Sequence, residues 1–172
     1  MRITLIGPTY PFRGGIAHYT TLLFRELRKR HEVQLLSFRR QYPSWLFPGR
    51  SDRDGSGLVM EEPGAIPVLD SMNPVTWVEM FRRAREFRPE AVIVSWWVSF
   101  WAPQFLTITW LLDRLGGANV LYICHNVVAH EDSALSRALT KAALATGRGF
   151  IVHSAQDEAN LRRMFPGRAI RH

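Results

Sequence analysis

Three groups of residues in this sequence have the chemistry to bind a polar ligand. Gly14-Gly15 places two residues without side chains next to each other, so that a phosphate or a sugar can approach the main chain closely. His125-Asn126 follows an apolar run, and an imidazole near neutral pH can donate to or accept from a sugar hydroxyl. Arg39-Arg40 suits anionic oxygens, because the planar guanidinium binds them bidentately.

Each of these patterns also has a purely structural interpretation. Gly14-Gly15 can be an ordinary turn between a strand and a helix, and His125 can be satisfied by backbone groups. His130-Glu131 can be a hydrogen-bonded pair at the start of a helix. A metal site is not expected, because the D-x-D pattern Asp52-Arg53-Asp54 does not end an apolar strand. The single cysteine, Cys124, cannot form a cysteine metal site within the chain.

The elements that must position these groups alternate between short apolar runs and amphipathic segments. The opening stretch is typical of a strand, a glycine-bearing loop and a helix. Strands are predicted over residues 2–7, 33–38, 66–69, 91–95, 119–124 and 149–153, with the start of another at 169–172. Helices are predicted over residues 16–30, 74–87 after the cap Asn73, 103–115, from the cap Asp132 or Ser133 to 146, and 157–165.

This alternation predicts an α/β fold, a Rossmann-like doubly wound parallel sheet with helices on both faces. In such a sheet the carboxyl ends of all strands meet at one edge, where ligands bind. The groups above fall at these ends, and Ser95-Trp96 and Ser154 follow two further strands. A dinucleotide fingerprint is absent, because the glycine spacing differs and Arg39-Arg40 stands where an acidic residue belongs.

The composition restricts the class of protein and its compartment. At 172 residues the chain fits one domain, and with one cysteine and no signal peptide it is expected in the cytosol. The net charge of +7 permits nucleotide phosphates or anionic lipid as partners. Nucleic acid is not an expected partner, since no long basic run or nucleic-acid motif is present. Four arginines of one predicted helix are interpreted as a solvated face: Arg82, Arg83, Arg85 and Arg88.

Two stretches of the sequence bear on membrane contact. Residues 91–112 carry no charge and are long enough for a span, but a β-branched run and Pro103 favour a strand, an aromatic loop and a helix. The aromatic loop, with Trp96, Trp97 and Trp101, suggests peripheral contact with a lipid or with the inner face of the plasma membrane. Residues 39–67 predict a long mobile loop that orders around an acceptor or a membrane.

Five groups of residues are specific when their order and spacing are taken together. They are Gly14-Gly15-Ile16 with Tyr19, His31-Glu32-Val33, Ser37-Phe38-Arg39-Arg40-Gln41-Tyr42-Pro43, Leu46-Phe47-Pro48-Gly49, and Cys124-His125-Asn126 with His130-Glu131. In this combination the sequence resembles the N-terminal domain of a GT-B glycosyltransferase of the large retaining family 4 type. The likeness covers nearly the whole chain.

The resemblance implies two Rossmann-like domains that face a cleft, with residues 1–172 as the single N-terminal, acceptor-side domain. It implies a nucleotide-sugar donor, a saccharide or lipid-linked acceptor, and no metal or other cofactor. Gly14 and Gly15 would approach the donor diphosphate and sugar, and His125 would be the catalytic residue that contacts the donor sugar. The expected acceptor-binding residues are Arg39, Arg40, Tyr42, Trp96, Asn126, His130 and Glu131.

One feature of the resembling family is missing from the sequence. The paired glutamates of the donor domain, E-x7-E, occur nowhere, so the chain is expected to lack the C-terminal donor domain and to be inactive alone. A stand-alone module that binds a phosphorylated ligand or an anionic membrane surface is the alternative from another class. A complete small nucleotide-sugar enzyme, such as an epimerase or a dehydrogenase, is disfavoured by the missing dinucleotide fingerprint.

Overall fold

The apolar runs form a single parallel sheet in the computed structural model, which describes residues 1–43, 52–54, 60–127 and 133–172. The strands of this part are β1 (Arg2–Ile6), β2 (Glu32–Arg40), β3 (Ala65–Asp70), β4 (Ala91–Trp96), β5 (Asn119–Cys124), β6 (Gly149–Val152) and β7 (Ala169–Arg171). Its helices are α1 (Gly15–Leu27), α2 (Pro74–Phe87), α3 (Ala102–Leu111), α4 (Ala134–Leu144) and α5 (Ala155–Met164). A 3-10 turn, Ser99–Trp101, precedes α3, and a π turn, Leu112–Gly116, follows it.

The order of the strands confirms the predicted α/β fold. It is β3-β2-β1-β4-β5-β6-β7, and every neighbouring pair is parallel. The chain runs from β1 outward to β3 on one side, and from β4 outward to β7 on the other. A crevice forms where the connections leave in opposite directions, at the carboxyl ends of the strands. The residues that follow β1, β4 and β5 therefore lie around this crevice.

Side chains alternate between the two faces of the sheet, because successive strand residues point in opposite directions. On one face, buried residues of α2, α3, α4 and α5 form a cluster with the even-numbered residues of β4 and β5. On the other face, Phe24 of α1 packs with Ile3, Leu5 and Ile93. Helices thus lie on both faces, as predicted, and among the described residues the second face is covered by α1.

Capping side chains set the starts of three helices. Asn73 accepts a hydrogen bond from the N–H of Val75, which confirms the predicted cap of α2. Ser154 accepts from the N–H of Asp157, so α5 begins two residues earlier than predicted. Ser133, one of the two caps predicted for α4, likewise accepts a hydrogen bond from the N–H of Ser136. Caps join residues that are close in the sequence, which is why those of α2 and α4 could be predicted.

Two strands extend beyond their predicted ends. β2 continues to Arg40, which pairs with Asp70 of β3. β4 continues to Trp96, which lies opposite Cys124 of β5. Pairing with a neighbouring strand is a tertiary interaction, and a local pattern does not contain it. Trp96 is for this reason a strand residue and not part of a loop.

The uncharged stretch 91–112 forms β4, the 3-10 turn, α3 and the first residue of the π turn. No helix in the described ranges is long and apolar enough to cross a membrane. Trp96 and Trp101 have no exposed surface, and Trp97 is half-buried. These rings pack into the core, so they do not form the exposed aromatic loop on which the predicted membrane contact depended. Of the loop predicted to be mobile, residues 44–51 and 55–59 lie outside the described residues.

Candidate functional site

The loop between β1 and α1 reaches the crevice without side chains at Gly14 and Gly15. Gly14 precedes α1 with φ 115° and ψ 165°, backbone angles that residues other than glycine rarely adopt. A Cβ atom at either glycine would meet nothing within 4 Å. The N–H groups of Ala17 and His18 donate to the carbonyl of Gly14, whereas those of Gly15 and Ile16 have no acceptor among the described residues and no side-chain cap. They are available to an anion or to a hydroxyl oxygen.

A short segment, residues 52–54, holds the outer side of this loop. The N–H of Arg13 donates to the carbonyl of Asp52 at 2.8 Å, and the N–H of Asp54 donates to the carbonyl of Pro11 at 2.8 Å. The D-x-D pattern therefore lies beside the glycine loop, where the Asp54 carboxylate is 3.7 Å from Nε2 of His18. Within the described residues, no three His, Cys, Asp or Glu side chains are placed to hold a metal ion.

The end of β1 lies very close to α1 and β4. A Cβ atom at Gly7 would lie 2.8 Å from Oγ1 of Thr20 and 2.9 Å from Oγ of Ser95. The two hydroxyl oxygens are themselves 3.4 Å apart. Glycine is required at this point because any side chain would overlap with them. The close approach brings the early turns of α1 against the carboxyl end of β4.

Three rings form a cluster at this edge, which we call the histidine cluster: Tyr19, His125 and His153. Tyr19 lies on α1, four residues after Gly15, and its ring is edge-on to His125 with the centroids 4.9 Å apart. The rings of His125 and His153 are 5.1 Å apart, and those of Tyr19 and His153 are 5.2 Å apart. The imidazole of His125 is therefore beside the early turns of the helix that the two glycines begin.

His125 is half-buried and uncharged at neutral pH. Burial, together with the nearby His153, lowers the pKa of its imidazole to about 4. Its Nε2 atom is buried and has no hydrogen-bond partner among the described residues, while its backbone N–H donates to the carbonyl of Trp96 at 2.8 Å. Burial also raises the pKa of Tyr19. A neutral imidazole with an unused nitrogen can make one further hydrogen bond, as donor or acceptor according to its tautomer.

His153 is a member of this cluster that the sequence pattern does not single out. The pattern predicts a strand over residues 149–153, in which His153 is only the last strand residue. In the structure β6 ends at Val152, so His153 follows β6 just as His125 follows β5. β5 and β6 are neighbours, and both histidines reach the same edge. The rule that selected His125, a histidine directly after an apolar strand, selects His153 once the strand end is placed correctly.

Arg39 and Arg40 lie at the end of β2, and both guanidinium groups bind carboxylates. Arg40 donates to the two oxygens of Asp70 at 2.9 and 2.8 Å. Arg39 donates to Glu79 of α2 at 3.3 and 3.4 Å and to the carbonyl of Pro67 at 3.1 Å. β2 is three strand positions from β5, which is about 14 Å at the usual spacing. The structure does not bring these arginines into contact with the histidine cluster, and their charges are compensated.

Tyr42 belongs to an aromatic group that packs beside the end of β2. It is half-buried, and its phenolic oxygen accepts hydrogen bonds from Nε1 of Trp97 at 2.9 Å and Nε1 of Trp101 at 3.4 Å. Its ring also lies 5.2 Å from that of Phe100. Tyr42 is thereby held in place on the β2 side of the crevice.

The structure corrects the expectation that Trp96 contacts an acceptor. Its side chain has no exposed surface and packs in the helix-covered core with Val92 and Val94. The physical reason is the two-residue period of β4, which turns these three residues to the same face. Trp96 contributes to the crevice only through its backbone carbonyl, which holds His125.

The loop after β5 is described only in part. Asn126 is half-buried next to His125, and the N–H of Val127 donates to the carboxylate of Asp157 at 3.0 Å. This bond ties the loop to the first turn of α5. His130 and Glu131, which the sequence assigns to the acceptor site, lie outside the described residues.

The sheet order and the groups at its switch point define a Rossmann-like α/β domain with a crevice at the carboxyl edge. The profile of the family described as "Glycosyl transferase 4-like domain" matches residues 14–172. The chain therefore belongs to this family, which confirms the resemblance seen in the sequence, and it is a glycosyltransferase-related module. No curated protein matches the chain significantly.

Proposed function

We propose that this domain is the acceptor-binding half of a retaining glycosyltransferase, which moves a sugar from a nucleotide-sugar donor to a saccharide or lipid-linked acceptor. The observation that carries the proposal is the position of the half-buried His125 ring, which lies beside the early turns of α1. Gly14 and Gly15 leave the main chain open where this helix begins. Membership of the family supports glycosyl transfer as the general chemistry.

The neutral state of His125 suits the charge that develops during the reaction. A transferred sugar gains positive charge as its leaving group departs, through a transition state that resembles an oxocarbenium ion. An imidazolium would repel this charge, whereas a neutral imidazole can hydrogen-bond a sugar hydroxyl without adding a like charge. Burial, which lowers the pKa of His125 to about 4, keeps the ring in the favourable state. The free N–H groups of α1 would face the donor diphosphate.

The acceptor is proposed to lie on the β2 side of the crevice. The proposed contacts are Arg39, Arg40, Tyr42, Asn126, His130 and Glu131, without Trp96. The separation of β2 and β5, about 14 Å, leaves room for sugar rings between His125 and the three residues at the end of β2, Arg39, Arg40 and Tyr42. Most donor contacts are expected from a second, C-terminal domain, and no metal or cofactor takes part. The domain alone is then expected to transfer no sugar.

The test is the replacement His125→Ala in the enzyme that joins this domain to its donor domain. We expect kcat to fall by about 100-fold or more, the usual effect of removing one well-aimed transition-state contact. His31→Ala is the matched control, because His31 precedes β2 at the opposite edge of the sheet and should leave kcat unchanged. Thermal unfolding of both variants checks that the fold is intact.

Two results would contradict the proposal. The first is a kcat for His125→Ala that stays within the range of the His31→Ala control, since this would leave His125 with a structural role only. The second is robust turnover of a nucleotide sugar by the 172-residue chain alone, which would show that the domain does not depend on a separate donor-binding part.

A further inference from the structure

Three arginines near the carboxyl end of α2 have no partner for their guanidinium groups: Arg82, Arg85 and Arg88. All three are exposed, and none makes an ion pair or a side-chain hydrogen bond within the described residues. Arg83, on the same helix, behaves differently and binds Glu79 at 3.1 Å. Their exposure agrees with the solvated helical face that the sequence pattern predicts, but unlike Arg83 they have no acid as a partner in the described part of the chain.

These arginines line one surface cavity of about 530 Å³. It lies between the end of α2 and the π turn Leu112–Gly116, at the amino ends of β4 and β5. The other lining residues are Glu86, Pro89, Leu115 and Gly116. Glu86 makes no ion pair with the arginines in the described part, and its single carboxylate leaves two of the three positive charges uncompensated. The cavity is thus a cationic recess at the edge opposite the histidine cluster.

The helix dipole does not account for this arrangement. The negative end of α2 favours a nearby cation, and arginines in a last turn commonly donate to the final carbonyl groups. Here none of the three guanidinium groups donates to a carbonyl among the described residues. The dipole also acts on any cation near the last turn, and it does not require three of them to share one cavity.

The backbone of Arg88 is a second, independent observation at this cavity. Arg88 ends α2 with φ 52° and ψ 57°, in the left-handed region where glycine is the usual residue. In the described part of the chain it is the one residue other than glycine with a positive φ. A positive φ at a residue other than glycine costs free energy and is found at ligand sites as well as at helix ends, and at this helix end it keeps a guanidinium group at the cavity.

We propose that Arg82, Arg85 and Arg88 bind the phosphate group of an anionic ligand. Guanidinium groups bind phosphate oxygens bidentately, and a phosphate dianion would neutralise the two uncompensated charges. The phosphate can belong to a lipid headgroup or to a soluble molecule, because both present the same oxygens. Leu115, which is 57% exposed at the cavity, would face the acyl chains in the first case. The site does not depend on the proposed sugar transfer.

The experiment compares two triple variants that change the net charge equally. The first is Arg82→Gln, Arg85→Gln and Arg88→Gln, and the control is Arg162→Gln, Arg163→Gln and Arg168→Gln. The control arginines are exposed but have partners in Glu158, Asn160 and the carbonyl of Ala145. Binding is measured by calorimetry with inorganic phosphate, and by cosedimentation with phosphatidylcholine vesicles that contain or lack phosphatidic acid.

We expect the first triple variant to bind phosphate at least about tenfold more weakly than the wild type, and the control to bind it as the wild type does. If the protein cosediments with the phosphatidic acid vesicles, and free phosphate abolishes this cosedimentation, the site binds a lipid headgroup. Phosphate binding without cosedimentation would assign it to a soluble ligand. Circular dichroism and thermal unfolding show that both triple variants are folded.

A third variant separates a shaped phosphate site from general positive charge. Arg82→Lys, Arg85→Lys and Arg88→Lys retains every charge but removes the planar fork, so it should also bind phosphate more weakly. Wild-type affinity in this lysine variant would overturn the proposal. Equal losses in the two glutamine variants, or a wild type that binds neither phosphate nor the acidic vesicles, would overturn it as well.

Discussion

The two edges of the sheet differ in how their charged side chains are paired. At the carboxyl edge, Arg39 and Arg40 bind Glu79 and Asp70, and burial keeps His125 neutral. At the amino edge, the three arginines around the 530 Å³ cavity have no carboxylate partner among the described residues. Arg39 and Arg40 are therefore compensated at the edge at which ligands bind in this fold class, whereas Arg82, Arg85 and Arg88 at the opposite edge are not.

This comparison shows that the presence of arginine does not identify an anion site. Arg39 and Arg40 look suited to an anion in the sequence, yet neighbouring elements supply acids that neutralise them. Arg82 and Arg85 look like an ordinary solvated helix face, yet the fold gives them no acid. What matters is which arginines the surrounding structure leaves unpaired, because only those gain from binding an external anion.

The largest effect on stability is expected at the carboxyl edge, from Gly7→Ala. The new Cβ would lie under 3 Å from the hydroxyls of Thr20 and Ser95, so these two side chains, or the elements α1 and β4 that carry them, must shift. We expect a loss of about 1–3 kcal/mol in the free energy of unfolding, as for other overpacked sites. Urea denaturation measures it. Gly15→Ala is the control, because its Cβ meets nothing within 4 Å and alanine is the better helix former.

Equal stabilities for Gly7→Ala and Gly15→Ala would contradict the close approach of β1 to α1. They would also weaken the placement of the histidine cluster, since Tyr19 is carried by the same turns of α1. A loss of stability in Gly7→Ala but not in Gly15→Ala would confirm that the chain is closely packed at Gly7 and open at Gly15.

A smaller effect is expected from the protonation of His125. Its pKa is about 4 in the folded chain and 6.5 without the fold, so below pH 6.5 the unfolded chain binds a proton that the folded chain does not. The free energy of unfolding should therefore fall as the pH is lowered from 6.5 to about 4, by roughly 1–2 kcal/mol after allowing for partial exposure. Urea denaturation across this range, compared with His125→Asn, measures the difference.

The asparagine variant lacks this titration and should have a flatter pH dependence over the same interval. Parallel pH profiles for the wild type and His125→Asn would mean that His125 is not kept neutral by its surroundings. The proposed match between a neutral ring and a positively charged transition state would then lose its basis.

The smallest effect is expected at the amino edge, from Arg88→Gly. Glycine relieves the left-handed strain at the end of α2, so this variant should be more stable than the wild type by about 1 kcal/mol. Gly117→Ala, at the same edge with φ 67°, should lose stability by a similar amount although its Cβ meets nothing. Thermal unfolding measures both changes.

Arg88→Gly also allows stability to be compared with phosphate binding in one variant. Arg88→Gly should gain stability while it binds phosphate more weakly than the wild type, because it removes one of the three guanidinium groups. A variant that is both more stable and equally good at binding phosphate would mean that Arg88 has no part in the cavity.

The sequence alone determined the fold class and the approximate place of most elements. Apolar runs of strand length, helical periodicity and the cap at Asn73 act between residues close in the chain, so they can be read without the tertiary structure. The alternation of these elements then implies a parallel sheet, and a parallel sheet implies a crevice at its carboxyl edge. Gly14, Gly15 and His125 were located by this reasoning.

Only the tertiary structure decided which side chains are free to act. Strand pairing turned Trp96 into the core and moved the end of β6 to Val152, which placed His153 beside His125. Contacts between distant elements paired Arg40 with Asp70 and left Arg85 without an acid. The physical reason is that burial and ion pairing depend on residues brought together by the sheet order, and no pattern within a short window of sequence contains that information.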